Sequence, residues 1–316
     1  SGRERASRTY QRASEAVTYA AFRAASGFSR ALPRSAVDGT AGPLGFWAHW
    51  LRPERRAMIE RHLRRVDPTL DGWRLRHAVQ EAFDSYARYW LESFRLPTTP
   101  AEVVAAGWED EGFEHITDGL AHGRGVILAL PHLGGWDWAG RWLGDQGHRT
   151  TVIVEHIDPP ELFHWFAELR NDLGMTVVPL GPDAGRQVLR ALAANEIVCL
   201  LCDRYIGGGG VEVEFFGERT TLPAGPATLA LRAQVPLLPV AAYFTPRRNG
   251  HLAVIRPPIP LQRQGRLRED VARVTQALAH ELEWLIRRAP SQWHMFQPNW
   301  PSDPGYCGPS VSQHPA

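Results

Sequence analysis

The sequence predicts an α/β fold: a central, mostly parallel sheet of about seven strands flanked by helices, with a helical N-terminal region. Three observations predict it. Short apolar or β-branched runs alternate with helix-period stretches from residue 125 onward. The first 95 residues carry helical periodicity alone, and the prolines at 97 and 100 separate the two styles. Strand–helix alternation of this kind is the pattern of a parallel sheet covered on both faces.

The elements follow in order. Ala21, Ala24, Ala25, Phe28 and Leu32 recur at three- and four-residue steps, which makes 17–32 an amphipathic helix. The segment 44–51 (LGFWAHWL) sets aromatics beside Arg52, Arg55 and Arg56, the composition of a stretch lying in a membrane interface. Helices are expected at 53–65 and 71–95, the second with a core-facing stripe of Leu75, Val79, Phe83, Tyr86 and Trp90. Strands are expected at 125–131, 151–155, 176–179, 197–202, 211–215, 236–244 and 252–256. Helices are expected at 136–143, 160–173, 185–194, 224–233 and 268–288. The tail after Pro301, rich in Pro, Ser and Gly, is expected to be poorly ordered.

Composition narrows the class. The 316 residues, 44% hydrophobic and 22% charged, suit one large globular core and exclude a disordered chain. No window approaches the roughly 20 apolar residues of a spanning helix, and none has the form of a signal peptide. Net charge is +1, yet residues 1–95 hold 17 Arg against 10 acidic side chains, so the excess of positive charge sits on the helical region. A basic, aromatic-bearing surface suits an anionic membrane; a solvated helix face explains it equally well. Three cysteines make no disulfide framework, and Cys199 and Cys202, in an apolar run without a second pair, read as small buried hydrophobes of a reducing compartment.

The chemistry concentrates in 126–138 (VILALPHLGGWDW). An apolar strand ends at Pro131 and His132 follows at its carboxyl end, where open α/β sheets bind ligands. Gly134 and Gly135 permit a tight turn, and Asp137 falls in the first turn of the next helix. A turn that tight brings the Asp137 carboxylate back to the imidazole Nδ1, leaving Nε2 as a base: the base and orienter of a hydrolase triad, without its serine. No GxSxG is present. Such a pair suits deprotonation of a substrate hydroxyl that attacks an activated acyl group, and a thioester is a fitting donor because its thiolate leaves readily.

The HxxxxD arrangement after a strand resembles the signature of the glycerolipid and lysophospholipid acyltransferase superfamily. The order of further segments resembles its lipid A lauroyl and myristoyl branch: the Arg-rich helix near residue 55, AELR at 167–170, CDR at 202–204, VEVEFFG at 211–217 and LPAGPATLA at 222–230. Within that branch, QWHMFQPNWP at 292–301 and the lack of a spanning helix are similar to the phosphatidylinositol mannoside acyltransferases.

The resemblance covers about residues 50–301. It implies one acyltransferase domain over 1–316: a basic, membrane-facing part at 1–95, a catalytic core at 96–301 and a tail at 302–316. It further implies transfer of a long acyl chain, typically palmitoyl, from acyl-CoA to a mannose 6-hydroxyl of phosphatidylinositol mannoside, at the cytoplasmic face of the plasma membrane. No cofactor is implied beyond the acyl-CoA co-substrate, no nucleic acid as partner, and no metal. His132 would be the base and Asp137 its partner, with Glu155 and Arg170 in the polar part of the groove.

Other candidates for substrate binding are weaker. Arg170 and Arg204 have the shape of phosphate forks, and are as readily ordinary ion pairs. Glu155 fits a solvated strand end as well. Glu212 and Glu214 share one strand face, the pattern of a solvent-facing edge, though their block keeps them in view. His294, between aromatics, reaches an acceptor or is simply packed. His148, His156 and His164 match no metal spacing. Rival readings are acylation of another glycolipid such as lipid A, a glycosyltransferase (whose Asp-x-Asp metal site is missing) and a lipid-binding protein without catalysis.

Overall fold

The computed structural model describes residues 19–31, 34–155, 159–207 and 209–309, without the side chains of residues 34–38. Four helices make the N-terminal layer: α1 (residues 19–31), α2 (Arg34–Leu51), α3 (Pro53–Val66) and α4 (Gly72–Arg95). Helices α1, α3 and α4 stand where the periodicity places helices, although residues 17, 18 and 32 lie outside the described set, whereas α2, with Pro43 inside it, is a helix that the periodicity does not predict. On α4, Leu75, Val79 and Phe83 recur every four residues and bury against Ile59 and Leu63 of α3. The interface-type segment 44–51 is the last two turns of α2. Its Phe46, Trp47, Trp50 and Leu51 stay in solvent, with Trp47 at 63% and Leu51 at 71% exposure.

Beyond α4 come α5 (Ala101–Ala106), β1 (Trp108–Glu111), α6 (Glu114–Ala121), β2 (Val126–Leu130), α7 (Trp136–Asp145), β3 (Thr150–Val154), α8 (Pro160–Asp172) and β4 (Met175–Pro179). Then follow α9 (Ala184–Ala193), β5 (Ile197–Leu201), β6 (Gly210–Phe215), β7 (Glu218–Pro223), α10 (Gly225–Ala233), β8 (Leu237–Phe244), β9 (His251–Ile255) and α11 (Leu267–Arg288). A seven-stranded sheet has the order β1-β9-β8-β2-β5-β3-β4. Five neighbouring strands, β8 to β4, run parallel; β9 pairs antiparallel with β8, and β1 runs with β9. The central strand β2 is buried at every position, as a strand covered on both faces must be.

The sheet holds seven strands, but not the seven expected. Residues 211–215 leave it to form a separate antiparallel hairpin, β6 with β7. The place is taken by β1, whose sequence WEDE carries no apolar alternation because it is a largely exposed edge strand. The tail also differs from expectation. Residues 302–309 are placed, and Asp303 is buried because it accepts hydrogen bonds from the backbone of Asn299 and Trp300. Residues 310–316 lie outside the described set.

Two apolar layers sandwich the sheet. Leu128 and Leu130 of β2, with Val240, Ala253 and Ile255, face α6 and α7, whereas Ile127 and Ala129 face α9, α10 and α11. The chain therefore leaves β2 on one face, through α7, and leaves neighbouring β5 on the other, through the hairpin and α10. The crevice between the carboxyl ends of such strands is where ligands bind in this architecture.

Candidate active site

In the parallel register of β2 and β5, Leu130 lies beside Leu201. Two residues further along each chain stand His132 and Asp203, so the register itself sets them side by side. His132 Nδ1 lies 2.6 Å from an Asp203 carboxylate oxygen, and the backbone N–H of His132 donates to the other oxygen at 2.9 Å. The carboxylate can only accept, so Nδ1 carries a hydrogen, and in the neutral ring Nε2 holds the lone pair. Asp203 is fully buried. Burial alone pushes its carboxyl up, but the His132 charge and the donors from His132 and Trp293 outweigh it, holding the group below the usual range.

Asp137 is not the partner of His132. Its carboxylate is buried and turned towards α4 and α8, where it accepts from Tyr89 at 2.8 Å, Ser93 at 3.1 Å and Arg170 at 3.0 Å. The physical reason lies in the turn. Gly134 sits at φ +63, and any Cβ there would lie 2.0 Å from the Ala242 carbonyl oxygen. The backbone thus tucks beneath β8, with Gly135 N–H donating to the same carbonyl, and α7 starts with Asp137 on its inward face, away from Nδ1. The Asp137 charge and the Tyr89 hydroxyl outweigh burial and hold the Arg170 guanidinium firmly protonated.

The other predicted residues divide. Arg170, Arg204, Glu155 and His294 all line one cavity together with His132 and Asp137. Arg204 pairs with Glu155 at 2.7 Å across the end of β3. His294 donates its backbone N–H to the His132 carbonyl at 2.7 Å and shares a hydrogen bond between Nε2 and the Ser85 hydroxyl. Burial and the neighbouring His132 push the His294 ring down to about 3, so it is neutral; its Nδ1 has no hydrogen-bond partner among the described residues. Glu212 and Glu214 are elsewhere. They sit on the exposed face of the β6–β7 hairpin, Glu212 paired with Arg219, and neither lines the cavity. Asp203 and its neighbours Trp293 and Asn299 are the site residues that motif spacing missed. The CDR run at a strand end was visible in the sequence, but nothing local places that strand beside β2.

The cavity is about 360 Å³. His132, Arg204, Glu155 and His294 line it together with apolar residues on the α7 side of the sheet, among them Leu128, Leu130, Val240 and Ala253. Trp108 and Phe113 also line it and pack on Trp142 at 4.5 Å and 5.4 Å between ring centroids. Cys199 lines the cavity too, and burial pushes its thiol up to about 12, so it has no thiolate character. A cavity lined mainly by apolar side chains, with an imidazole and two ion pairs in its wall, fits an amphiphile with a polar end. Among the described residues no cluster of three or more His, Cys, Asp or Glu is disposed to hold a metal, and no helix is long and apolar enough to cross a membrane.

Comparison with known proteins decides the family. The model of the bacterial lipid A biosynthesis acyltransferase family matches residues 7–302, nearly the whole chain. The chain belongs to this lipid A acyltransferase family. Among relatives, the phosphatidylinositol mannoside acyltransferase of Mycobacterium tuberculosis is 35% identical over 300 residues, covering 86% of this chain and 92% of the relative. That of Mycolicibacterium smegmatis is 35% identical over 277 residues, covering 87% and 88%. A lipid A biosynthesis acyltransferase of Haemophilus influenzae is 23% identical over 261 residues, covering 81% and 79%. Membership of the lipid A acyltransferase family makes the protein an acyltransferase. It also agrees with the chemistry of the cavity, since an acyl group needs an apolar cavity that meets a base.

Proposed function

We propose that this protein transfers a long acyl chain, palmitoyl by preference, from acyl-CoA to the mannose 6-hydroxyl of phosphatidylinositol mannoside. The observation that carries the reading is the His132–Asp203 pair, whose imidazole lines a largely apolar cavity. Two relatives named for that acceptor, each 35% identical, support it over lipid A.

In this reading the acyl chain lies in the cavity and its thioester carbonyl reaches His132. His132 Nε2 takes the proton of the sugar hydroxyl as the oxygen bonds to the carbonyl carbon. The tetrahedral oxyanion collapses, the carbon–sulfur bond breaks, and the proton on Nε2 passes to the departing CoA thiolate. Asp203 keeps Nδ1 protonated and stabilises the imidazolium while it lasts. Asp137 holds Arg170 in the cavity wall, and Arg204 with Glu155 makes the polar patch that meets the CoA or sugar. His294, neutral and short of one partner, is placed to hydrogen-bond the acceptor.

Phe46, Trp47, Trp50 and Leu51 of α2, with Arg52, Arg55 and Arg56 next to them, would seat the enzyme on an anionic leaflet. Trp47→Ser with Trp50→Ser is expected to lower co-sedimentation with anionic vesicles at least tenfold while thiol release from soluble substrates persists. Unchanged vesicle binding would refute this docking face. The reaction itself is tested by following free thiol from palmitoyl-CoA with and without mannosylated lipid, against a lipid A precursor. Acceptor-dependent release with the mannolipid is expected. Release with the lipid A precursor alone would replace the acceptor, and turnover of a sugar nucleotide would overturn the reading.

A further inference from the structure

The catalytic histidine and its carboxylate are both held from outside the sheet, by one stretch of chain near the C-terminus. Residues 292–294 lie antiparallel to 132–134: Gly134 N–H donates to the Gln292 carbonyl at 3.0 Å, and His294 N–H to the His132 carbonyl at 2.7 Å. Trp293 Nε1–H donates to an Asp203 oxygen at 2.7 Å, the same oxygen that takes the His132 backbone N–H. Asn299 Nδ2–H donates to the Asp203 carbonyl at 2.9 Å. Asn299 and Trp300 are fixed in turn by Asp303, whose carboxylate accepts their backbone N–H groups at 2.9 and 3.0 Å.

Asp303 is itself gripped by the basic helix α3. His62 Nε2 lies 3.1 Å from it while His62 Nδ1 lies 2.9 Å from the Met295 carbonyl, and Arg61 and Arg65 stand 3.3 and 3.4 Å away. Arg65 also lies over the Trp300 ring at 4.0 Å. His62 and Trp300 are almost wholly buried. This is more than packing. Core aromatics need no donor aimed at a carboxylate, and the Trp293 N–H joins the His132 backbone N–H on the one Asp203 oxygen, so two donors hold the carboxylate with its other oxygen towards Nδ1.

We propose that residues 292–303, tied to helix α3 through Met295 and Asp303, form a clasp in which Trp293 positions the Asp203 carboxylate and so tunes the basicity of His132. The inference rests on the reading of His132 as the general base. Trp293 is a positioning residue: it touches Asp203 and lies outside the cavity lining. The charged and titratable groups facing the His132–Asp203 pair are His294 from the same segment, Cys202 beside Asp203, the Glu155–Arg204 pair, the Asp137–Arg170 pair, and Tyr86 and Tyr89 of α4. None of them contacts the Asp203 oxygen that Trp293 holds in the hydrogen bonds of the structure.

Trp293→Phe keeps the ring and deletes the donor. The carboxylate, short of one hydrogen bond, offers more charge to His132 and stabilises its protonated form, so the acidic limb of the kcat/KM profile moves to higher pH, by up to about one unit. Looser positioning lowers kcat about tenfold, with KM for acyl-CoA unchanged. Asn299→Ala is expected to do the same to a smaller degree. A variant that loses kcat only in step with a lower Tm, its acidic limb unmoved, overturns the inference in favour of plain packing; so does wild-type behaviour throughout. Should Asp303→Asn fail to fold, Trp293→Phe still decides the matter. His132→Ala is run beside them: if that variant turns over normally, the base assignment itself has failed, an outcome distinct from failure of the clasp.

Discussion

The carboxyl ends of β2 and β5 and the first turn of α7 each bury an aspartate beside the same cavity, and the two aspartates have different partners. At the strand ends Asp203 faces an imidazole, with main-chain and indole N–H groups filling its second oxygen. At the helix start Asp137 faces a guanidinium, with two hydroxyls completing its shell. A carboxylate paired with a titratable ring can follow a proton as it arrives and departs. One paired with arginine balances a permanent charge and fixes a wall. The lesson is that distance along the chain, five residues for Asp137 against 71 for Asp203, says little about which carboxylate meets the histidine.

The largest effect expected on turnover is that of His132→Ala, which removes the base and lowers kcat by 10³-fold or about that order, measured as thiol release, with Tm near wild type. Asp203→Asn should follow, at about 10²–10⁴-fold in kcat, since an amide in place of the carboxylate lets Nδ1 accept and turns the ring to the wrong tautomer. Asp137→Asn sharpens the contrast: it is expected to cost about tenfold or less in kcat, and to show mainly as a lower Tm. Arg170→Met, which strands the buried Asp137 charge, should destabilise by about 3 kcal/mol in denaturant unfolding. If Asp137→Asn and Asp203→Asn lower kcat equally, the division of labour between the two regions is broken.

Acid unfolding probes the same contrast from the stability side. Asp203 and Asp303 are both held below the ordinary carboxylate range in the folded protein. Groups depressed in this way contribute stability that is complete above about pH 5 and is lost as pH falls through 4 towards their folded values. Asp303→Asn is therefore expected to flatten the acid limb of a Tm-against-pH curve, and an unchanged limb would count against the clasp's role in stability. The smallest effect belongs to Glu212→Gln with Glu214→Gln, on an exposed hairpin face away from the cavity, where turnover should stay within about twofold of wild type.

Much of this was legible in the sequence, and the gaps have identifiable causes. Fully buried strands such as 126–130 announce themselves by unbroken apolar runs, and His132 by following one of them. The edge strand β1 did not, because an exposed edge has no core face to pattern. Residues 211–215 alternate like any strand, and alternation cannot say which sheet a strand joins. Spacing points to Asp137 as the orienter because a five-residue turn can close on an imidazole; the contact between Gly134 and the Ala242 carbonyl, a tertiary fact, sends it elsewhere. The CDR run that holds Asp203 is plain in the sequence, yet pairing of β2 with β5 crosses two intervening strands and is written nowhere in local spacing.

The side-by-side register of β2 and β5 has a consequence for how such sequences are free to diverge. The geometry of the His132–Asp203 pair is counted in rungs from Leu130 and Leu201, two on each rail, and is blind to the length of the connection between the rails. Insertions in the turns around α8 or α9 leave the dyad untouched, whereas one residue added between Leu201 and Asp203 swings the carboxylate to the opposite side of the ladder. Homologues should therefore vary widely in the distance from histidine to aspartate and hardly at all in the short steps beyond the strand ends.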